Sequence, residues 1–189
     1  MAQTLLFEPI RLRELELPNR IVVSPMCQYS AIDGVANDWH LVHLGKFAQG
    51  GAGTIMIEAT AVEEIGRITH GDVGLWKDEQ IAPLKRITDF MKSNGAVPAI
   101  QLGHAGRKGS MQRPWFGNGP LTNDDTKRGD LEWQTVAAFN KPVDSHWLTP
   151  KAASKEDLER IRMAFTAAAK RALDAGFQIA EVHAAHGYL

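Results

Sequence analysis

The chain has 189 residues, a length that supports one sizeable hydrophobic core and is short for two. Its 21 lysines and arginines balance 22 acidic residues without forming a basic stripe, which argues against a nucleic-acid partner. A single cysteine, Cys27, excludes an intrachain disulfide and favours a reducing, cytoplasmic compartment, and neither a signal peptide nor a membrane-spanning stretch is expected.

Four short apolar runs alternate with three helical patterns along the chain. The runs are nearly continuous rather than alternating, which is typical of strands buried on both faces of a parallel sheet. The predicted strands cover residues 21–26, 54–62, 97–105 and 177–185, and the predicted helices cover 38–49, 78–94 and the stretch from a capping box at Ser154 to a C-terminal cap at Gly176. This order predicts an α/β fold of repeated β/α units with right-handed crossovers.

The segment 106–150 departs from this regular pattern. It is rich in glycine, asparagine, aspartate and proline, yet it contains large aromatic residues, namely Trp115, Phe116, Trp133, Phe139 and Trp147. Loops of this length in compact domains are usually functional or disordered. The aromatic residues favour a lid that packs onto the rest of a single domain spanning residues 1–189.

The segment from Ser24 to Tyr29 ends the first predicted strand, and it has two interpretations. Cys27 on its own is most simply a small core residue, which is the common fate of a lone cysteine. Alternatively, Cys27 and Tyr29 face a site at the carboxyl ends of the strands, where barrel enzymes place their chemistry. The Tyr29 phenol would then donate to a substrate oxygen.

Two glycine-rich stretches and several histidines suggest other functions, which their context argues against. Glycine-rich residues 50–53 follow a helix and precede a strand, the reverse of a phosphate-binding loop, and residues 103–109 lack the spacing of a dinucleotide fingerprint. Five histidines lie on predicted helices or at strand ends, but the available carboxylates, Glu58 and Glu181, lie within strands and belong to no ligand motif. No metal site is therefore predicted.

The last predicted strand ends in a set of hydrogen-bond donors. His183 and His186 would point to opposite faces of an ideal strand, and they converge only if the strand ends near His183 and the chain bends, which Gly187 would help. A neutral pair held this way can donate two hydrogen bonds to one carbonyl or nitro oxygen, and Tyr188 can donate a proton. The alternative, from this motif alone, is a pair of structural histidines.

Taken together, four motifs appear in order, each at the carboxyl end of a predicted strand. They are residues 24–29 (Ser-Pro-Met-Cys-Gln-Tyr), 58–62 (Glu-Ala-Thr-Ala-Val), 101–108 (Gln-Leu-Gly-His-Ala-Gly-Arg-Lys) and 183–189 (His-Ala-Ala-His-Gly-Tyr-Leu). With these motifs the chain resembles the old yellow enzyme family of FMN-dependent ene-reductases along essentially its whole length. It is most similar to the branch that contains the xenobiotic reductases and the thermophilic-like enzymes.

The resemblance implies a set of residues that would contact the FMN cofactor. Cys27 would also tune the redox potential of the flavin, and Ala59 and Gln101 would touch its isoalloxazine ring. The full set is Ser24, Pro25, Met26, Cys27, Ala59 and Gln101.

The resemblance also implies the residues that would bind and protonate the substrate. His183 and His186 would hold its electron-withdrawing oxygen, Tyr29 and Cys27 would contact it, and Tyr188 would deliver the proton. The implied reaction passes hydride from NAD(P)H through FMN to the activated C=C bond of an α,β-unsaturated carbonyl or nitro compound.

The fold implied by the resemblance is a (β/α)8 TIM barrel, of which this chain would supply about the first four β/α units. A complete barrel typically needs ~250 residues, and the later strands would carry an arginine beside the flavin and the FMN phosphate site. The first and fourth strands of such a half-barrel would be bare edges, and exposed edges and apolar patches drive association. We therefore expect the chain to pair with a complementary half-barrel or with itself as a homo-oligomer, rather than to be a stable monomer.

Two other functions remain open from the sequence. A truncated or engineered half-barrel would carry the same residues and have no catalytic activity of its own. A metal-dependent barrel hydrolase is the third possibility, and bound zinc would reveal it. A visible absorption spectrum separates a flavoprotein from both alternatives.

Overall fold

The computed structural model describes residues 4–189, and its regular elements follow one another in a β/α pattern. In chain order they are β1 (Ile10–Leu12), β2 (Leu15–Leu17), β3 (Val22–Val23), α1 (Asp38–Gln49), β4 (Thr54–Ala61), α2 (Ile81–Ser93), β5 (Val97–Gly103), α3 (Asn123–Arg128), β6 (Val136–Ala137), β7 (Lys151–Ala152), α4 (Lys155–Asp174) and β8 (Ile179–Val182).

The central sheet has four strands in the order β3-β4-β5-β8. Every neighbouring pair in it is parallel. The first two crossovers carry α1 and α2, and the third carries α3, the short strands β6 and β7, and α4. The predicted parallel sheet built from repeated β/α units is thus confirmed.

The main hydrophobic core lies between one face of this sheet and the three helices. Alternate residues of a strand share a face, so Ile55 and Ile57 of β4 point the same way as Ile100 and Leu102 of β5. These strand residues cluster with buried residues of the helices, namely Leu44, Leu84, Ile87, Met91, Ala168 and Ala172. The opposite face of the sheet carries the polar side chains that the site uses.

Helices α1 and α4 begin where the sequence predicts. The Asn37 side chain accepts the backbone N–H of Trp39 at 3.0 Å and starts α1. In the predicted capping box, Ser154 accepts the Asp157 N–H at 3.2 Å and the Asp157 carboxylate accepts the Ser154 N–H at 3.0 Å. Helix α2 starts later than predicted, because residues 78–80 form a 3-10 turn and proline at 83 fits only the first turn of an α-helix.

The two outer strands are shorter than predicted. Strand β3 keeps two residues of the predicted 21–26, since Pro25 has no N–H for a ladder, and β8 ends at Val182 because the chain then bends away. Each pairs on one side only within the described residues. Val22 of β3 is 51% exposed and Val182 of β8 is 62% exposed, so both edges of the sheet present apolar side chains.

Two regions contain structure that the apolar pattern misses. Strands β1 and β2 form an antiparallel hairpin ahead of the sheet. Within the segment 106–150, Trp133 packs inward: its Nε1 donates to the Ile65 carbonyl at 3.0 Å, and the Arg67 guanidinium lies 5.1 Å from its ring centroid. Phe139 in the same segment is 74% exposed, and a lid function for the segment stays a prediction.

Among residues 4–189, no helix is both long enough and apolar enough to cross a membrane.

Candidate functional site

A cleft opens at the carboxyl ends of the central strands, the edge at which α/β folds gather functional side chains. Its lining includes Ala59, Asp72, Gly103, His104, His183 and Tyr188. Residues from β4, β5 and the segment after β8 therefore meet at one place, although they lie far apart in the chain.

The donors after β8 converge as the sequence predicts. The backbone bends at His186, with φ of 59°, and at Gly187, with φ of 70°, so both adopt the left-handed conformation. The His183 and His186 rings lie 5.2 Å apart between centroids, and the His183 and Tyr188 rings lie 5.1 Å apart. In a continued strand, side-chain alternation would have placed the two imidazoles on opposite faces of the sheet. The bend brings them to the same side instead.

The segment after β8 is held by the segment after β5. The Leu189 N–H donates to the His104 carbonyl at 3.1 Å, and Lys108 Nζ donates to the His186 carbonyl. Lys108 Nζ also lies 5.6 Å from the centroid of the Tyr188 ring. These contacts come from the segment after β5 and stabilise the left-handed backbone at His186. They therefore orient the side chains of His183, His186 and Tyr188.

The titration properties of this group suit neutral hydrogen-bond donors. Desolvation, with a smaller effect of His186, lowers the pKa of His183, so its imidazole stays neutral at pH 7 and keeps one N–H to donate. Burial raises the pKa of Tyr188 to about 12, with smaller contributions from Cys27 and Asp72. Tyr188 therefore retains its proton across the physiological pH range.

Cys27 and Tyr29 lie together on the segment after β3. Burial raises the pKa of the Cys27 thiol to about 12, and the carboxylates of Asp72 and Glu58 add to the effect. Burial also raises the pKa of Tyr29, which hydrogen-bonds the Cys27 side chain, well above its ordinary value. Both groups are thus neutral donors, and Cys27 contributes to the raised pKa values of both Tyr29 and Tyr188.

A buried aspartate lies beside the cleft. Asp72 is 2% exposed, and its carboxylate accepts the N–H of Ile68 at 2.6 Å and both the N–H and the hydroxyl of Thr69, at 3.1 and 2.9 Å. Burial raises the pKa of Asp72 to about 7, although these hydrogen bonds lower it. Sequence reasoning missed Asp72, because nothing in a polar loop marks one carboxylate as buried.

The remaining predicted site residues divide into two groups. Ala59 lines the cleft, and Gln101 is buried on the polar face of the sheet, where its Nε2 donates to Glu181 Oε1 at 2.6 Å. Ser24, Pro25 and Met26 continue from β3 beside the cleft and are not part of its lining. Met26 is 42% exposed.

Two further histidines, His40 and His104, are buried and each faces a carboxylate, and His104 also lines the cleft. His40 Nε2 lies 3.3 Å from Glu58 Oε1, and His104 Nε2 lies 3.4 Å from Glu63 Oε2, both without the alignment of a hydrogen bond. Within residues 4–189, no three side chains of histidine, cysteine, aspartate or glutamate are grouped so that they could hold a metal ion.

Comparison with known proteins gives consistent matches. A family model described as NADH:flavin oxidoreductase / NADH oxidase matches residues 5–189. The chain is 48% identical over 186 residues to NADH:flavin oxidoreductase FG08077 of Gibberella zeae, covering 98% of this chain and 45% of the relative. It is 42% identical over 186 residues to NADPH dehydrogenase of Listeria monocytogenes, covering 97% of this chain and 49% of the relative.

The similarity extends to solved structures. The crystal structure of Old Yellow Enzyme from Pichia sp. AKU4542 matches with a TM-score of 0.83 at 25% identity, covering 100% of this chain and 48% of that one. The chain spans about half the length of the curated relatives it matches. The parallel β/α sheet is accordingly part of a TIM barrel, as the sequence motifs implied.

Proposed function

The chain belongs to the NADH:flavin oxidoreductase / NADH oxidase family, and from that premise we propose that it provides the substrate-binding part of an FMN-dependent ene-reductase. The resemblance to old yellow enzymes is confirmed by the family match and by the similar solved structure. The family uses FMN with NAD(P)H. The proposed substrates are α,β-unsaturated carbonyl or nitro compounds, and the single cysteine favours a cytoplasmic location.

One observation carries the proposal: three hydrogen-bond donors, His183, His186 and Tyr188, converge after β8, and two of them, His183 and Tyr188, line the cleft. The His183 ring lies 5.2 Å from that of His186 and 5.1 Å from that of Tyr188. The neutral imidazole of His183 can donate a hydrogen bond to an oxygen, and hydrogen bonds to that oxygen strengthen as it gains negative charge. A carbonyl or nitro oxygen conjugated to C=C has this property.

The residues present fit the ring portion of FMN. Ala59 and Gly103 line the cleft with little or no side chain, which leaves room for a flat ring at the strand ends. Gln101, held by Glu181, offers an amide on the same face, and Cys27 offers a neutral thiol. Hydride transfer from NAD(P)H to the activated C=C bond is the chemistry that FMN supplies when bound.

The residues of this chain bind the substrate, orient it and supply a proton. His183 and His186 donate to the substrate oxygen and so polarise the conjugated double bond. Tyr188, protonated across the physiological range, gives its phenolic proton to the carbon next to the activating group. On the β3 side, Tyr29 and Cys27 would contact the substrate as further neutral donors.

The test compares the chain alone with the chain fused to the second half of the Gibberella zeae relative. We expect the fusion to show flavin absorption and to oxidise NADPH in the presence of 2-cyclohexen-1-one or a nitroalkene, with the saturated product detected by chromatography. The matched control is the same fusion carrying His183→Ala and His186→Ala, which should bind flavin and reduce the alkene poorly.

Two outcomes would contradict the proposal. A fusion that holds flavin and oxidises NADPH, but saturates neither alkene, would remove the ene-reductase assignment and leave the family membership untouched. A colourless, associated fusion would favour the alternative of a catalytically inactive half-barrel, which the exposed Val22 and Val182 edges make physically reasonable.

A further inference from the structure

Glu58 is a buried carboxylate that the proposed reaction does not use. It is 3% exposed and lies within β4 at the point where the pairing register with β5 shifts, between Ile57 and Ala59. A β-bulge of this kind re-aims one side chain, and bulges are common next to active sites. The bulge turns Glu58 toward the segment after β3.

Each carboxylate oxygen of Glu58 faces a different element. Oε2 accepts the backbone N–H of Gln28 at 2.7 Å, and Oε1 lies 3.3 Å from Nε2 of His40 on α1. His40 is fully buried, its Nδ1 accepts the Asn37 N–H at 3.1 Å, and the Nε2 edge of the ring faces Glu58. Glu58 thus joins β4, α1 and the backbone of the Gln28 segment.

Gln28 is the residue between Cys27 and Tyr29, and both its backbone and its side chain form hydrogen bonds. Its carbonyl accepts the Ser30 hydroxyl at 2.9 Å, and its side-chain carbonyl accepts Trp39 Nε1 at 3.1 Å. Tyr29, next to it, adopts a left-handed backbone with φ of 51°, which a non-glycine residue keeps only when its surroundings impose it. The Glu58 contact is the charge-assisted member of this set.

We propose that Glu58 is a positioning residue of the site: by binding the Gln28 N–H from the bulge in β4, it holds Cys27 and Tyr29 against the cleft. The proposal rests on the proposed function only in treating the segment after β3 as part of that site. Its charge also raises the pKa of the Cys27 thiol, after the larger effects of burial and of Asp72. If Glu58 only packed α1 against β4, replacing it would change neither the Gln28 hydrogen bond nor the reactivity of Cys27.

The test uses two readouts that need no flavin, so it stands even if the proposed function fails. Amide hydrogen exchange at Gln28 reports the hydrogen bond, and the rate of alkylation of Cys27, the sole cysteine, reports its thiolate fraction. We expect Glu58→Ala to speed Gln28 exchange about tenfold or more, while the amides of residues 55–57 stay protected. Glu58→Gln keeps an acceptor and should change Gln28 exchange much less.

Both variants remove a negative charge beside Cys27, so alkylation at about pH 8.5 should rise severalfold in each. Glu63→Gln is the matched control, since Glu63 pairs with Arg160 and His104 and should alter neither readout. Unchanged exchange at Gln28 in Glu58→Ala, or equal acceleration at residues 55–57, would overturn the proposal. Unchanged alkylation in the folded Glu58→Ala variant, which loses both the acceptor and the charge, would do so as well.

Discussion

His183 and Tyr188 meet edge to face, with ring centroids 5.1 Å apart and planes inclined at 66°. The contact orders two donors that stand five positions apart on a segment with no regular secondary structure. Edge-to-face pairing of aromatic rings is favourable, so the donor group is held in place before a ligand arrives. The first two predictions test what each member of the pair contributes.

His183→Ala removes one donor to the substrate oxygen. We expect kcat/KM for an enone to fall about 10²- to 10³-fold in the flavin-loaded protein, which is the usual effect of losing one such donor. Steady-state NADPH oxidation measures it. His146→Ala, in an exposed loop, is the matched control and should leave the rate unchanged. Equal rates for His183→Ala and wild type would refute the assigned role.

Tyr188→Phe removes the proton donor and keeps the ring. We expect kcat to fall about 10²- to 10⁴-fold, the typical range for a general acid, with KM nearly unchanged. Because the pKa of Tyr188 is raised to about 12, its phenol stays protonated and should impose no loss of rate up to about pH 11. A descending limb near pH 10 that vanishes in Tyr188→Phe would contradict this prediction.

Asp72 should make stability depend on pH between about 4 and 7. Its pKa is raised from 3.8 to about 7, so the folded state binds a proton that the unfolded state has already released. The contribution of Asp72 to stability is therefore greatest below its unfolded pKa and is lost as the pH rises through 7. Asp72→Asn cannot lose a proton, so it should become more stable relative to wild type as the pH is raised.

Denaturant unfolding at about pH 5 and pH 8 measures how the stability difference between Asp72→Asn and wild type changes with pH. The expected change is ~1.4 kcal/mol for each pH unit measured between the unfolded and folded pKa values of Asp72. Asp124→Asn removes a carboxylate whose side chain is 75% exposed and should show no such trend. A stability difference between Asp72→Asn and wild type that does not change with pH would show that the carboxylate is ionised in both states.

The open edges of the sheet should drive association. Val182 on β8 is 62% exposed, and β8 pairs within the described residues only with β5. We expect the isolated chain to sediment as an oligomer or a polydisperse species, and Val182→Lys to shift it toward the monomer, because a charge on an edge strand opposes further pairing. Val42→Lys on α1, where Val42 is 69% exposed, is the control. A sharp monomer boundary for the unmodified chain would refute this prediction.

Much of the fold could be predicted from the sequence because its signals are local. The four apolar runs predict the strands, and the capping residues Ser154 and Asp157 predict where α4 begins. The bend at His186 and Gly187 could likewise be anticipated, since only a bend brings two imidazoles three residues apart onto one side of a strand end. The short hairpin β1–β2 was missed because three-residue strands leave too little periodicity.

By itself, therefore, the sequence determined the parallel β/α order and the identity of the donors at the strand ends. Only the tertiary structure decided the surroundings of those donors: Asp72 buried beside the cleft, Lys108 bound to the His186 carbonyl, and Glu58 turned toward Gln28 by a bulge. The reason is physical. Hydrophobic periodicity is a property of neighbouring residues, whereas desolvation and Coulomb interaction depend on distances between segments that meet only after the chain has folded.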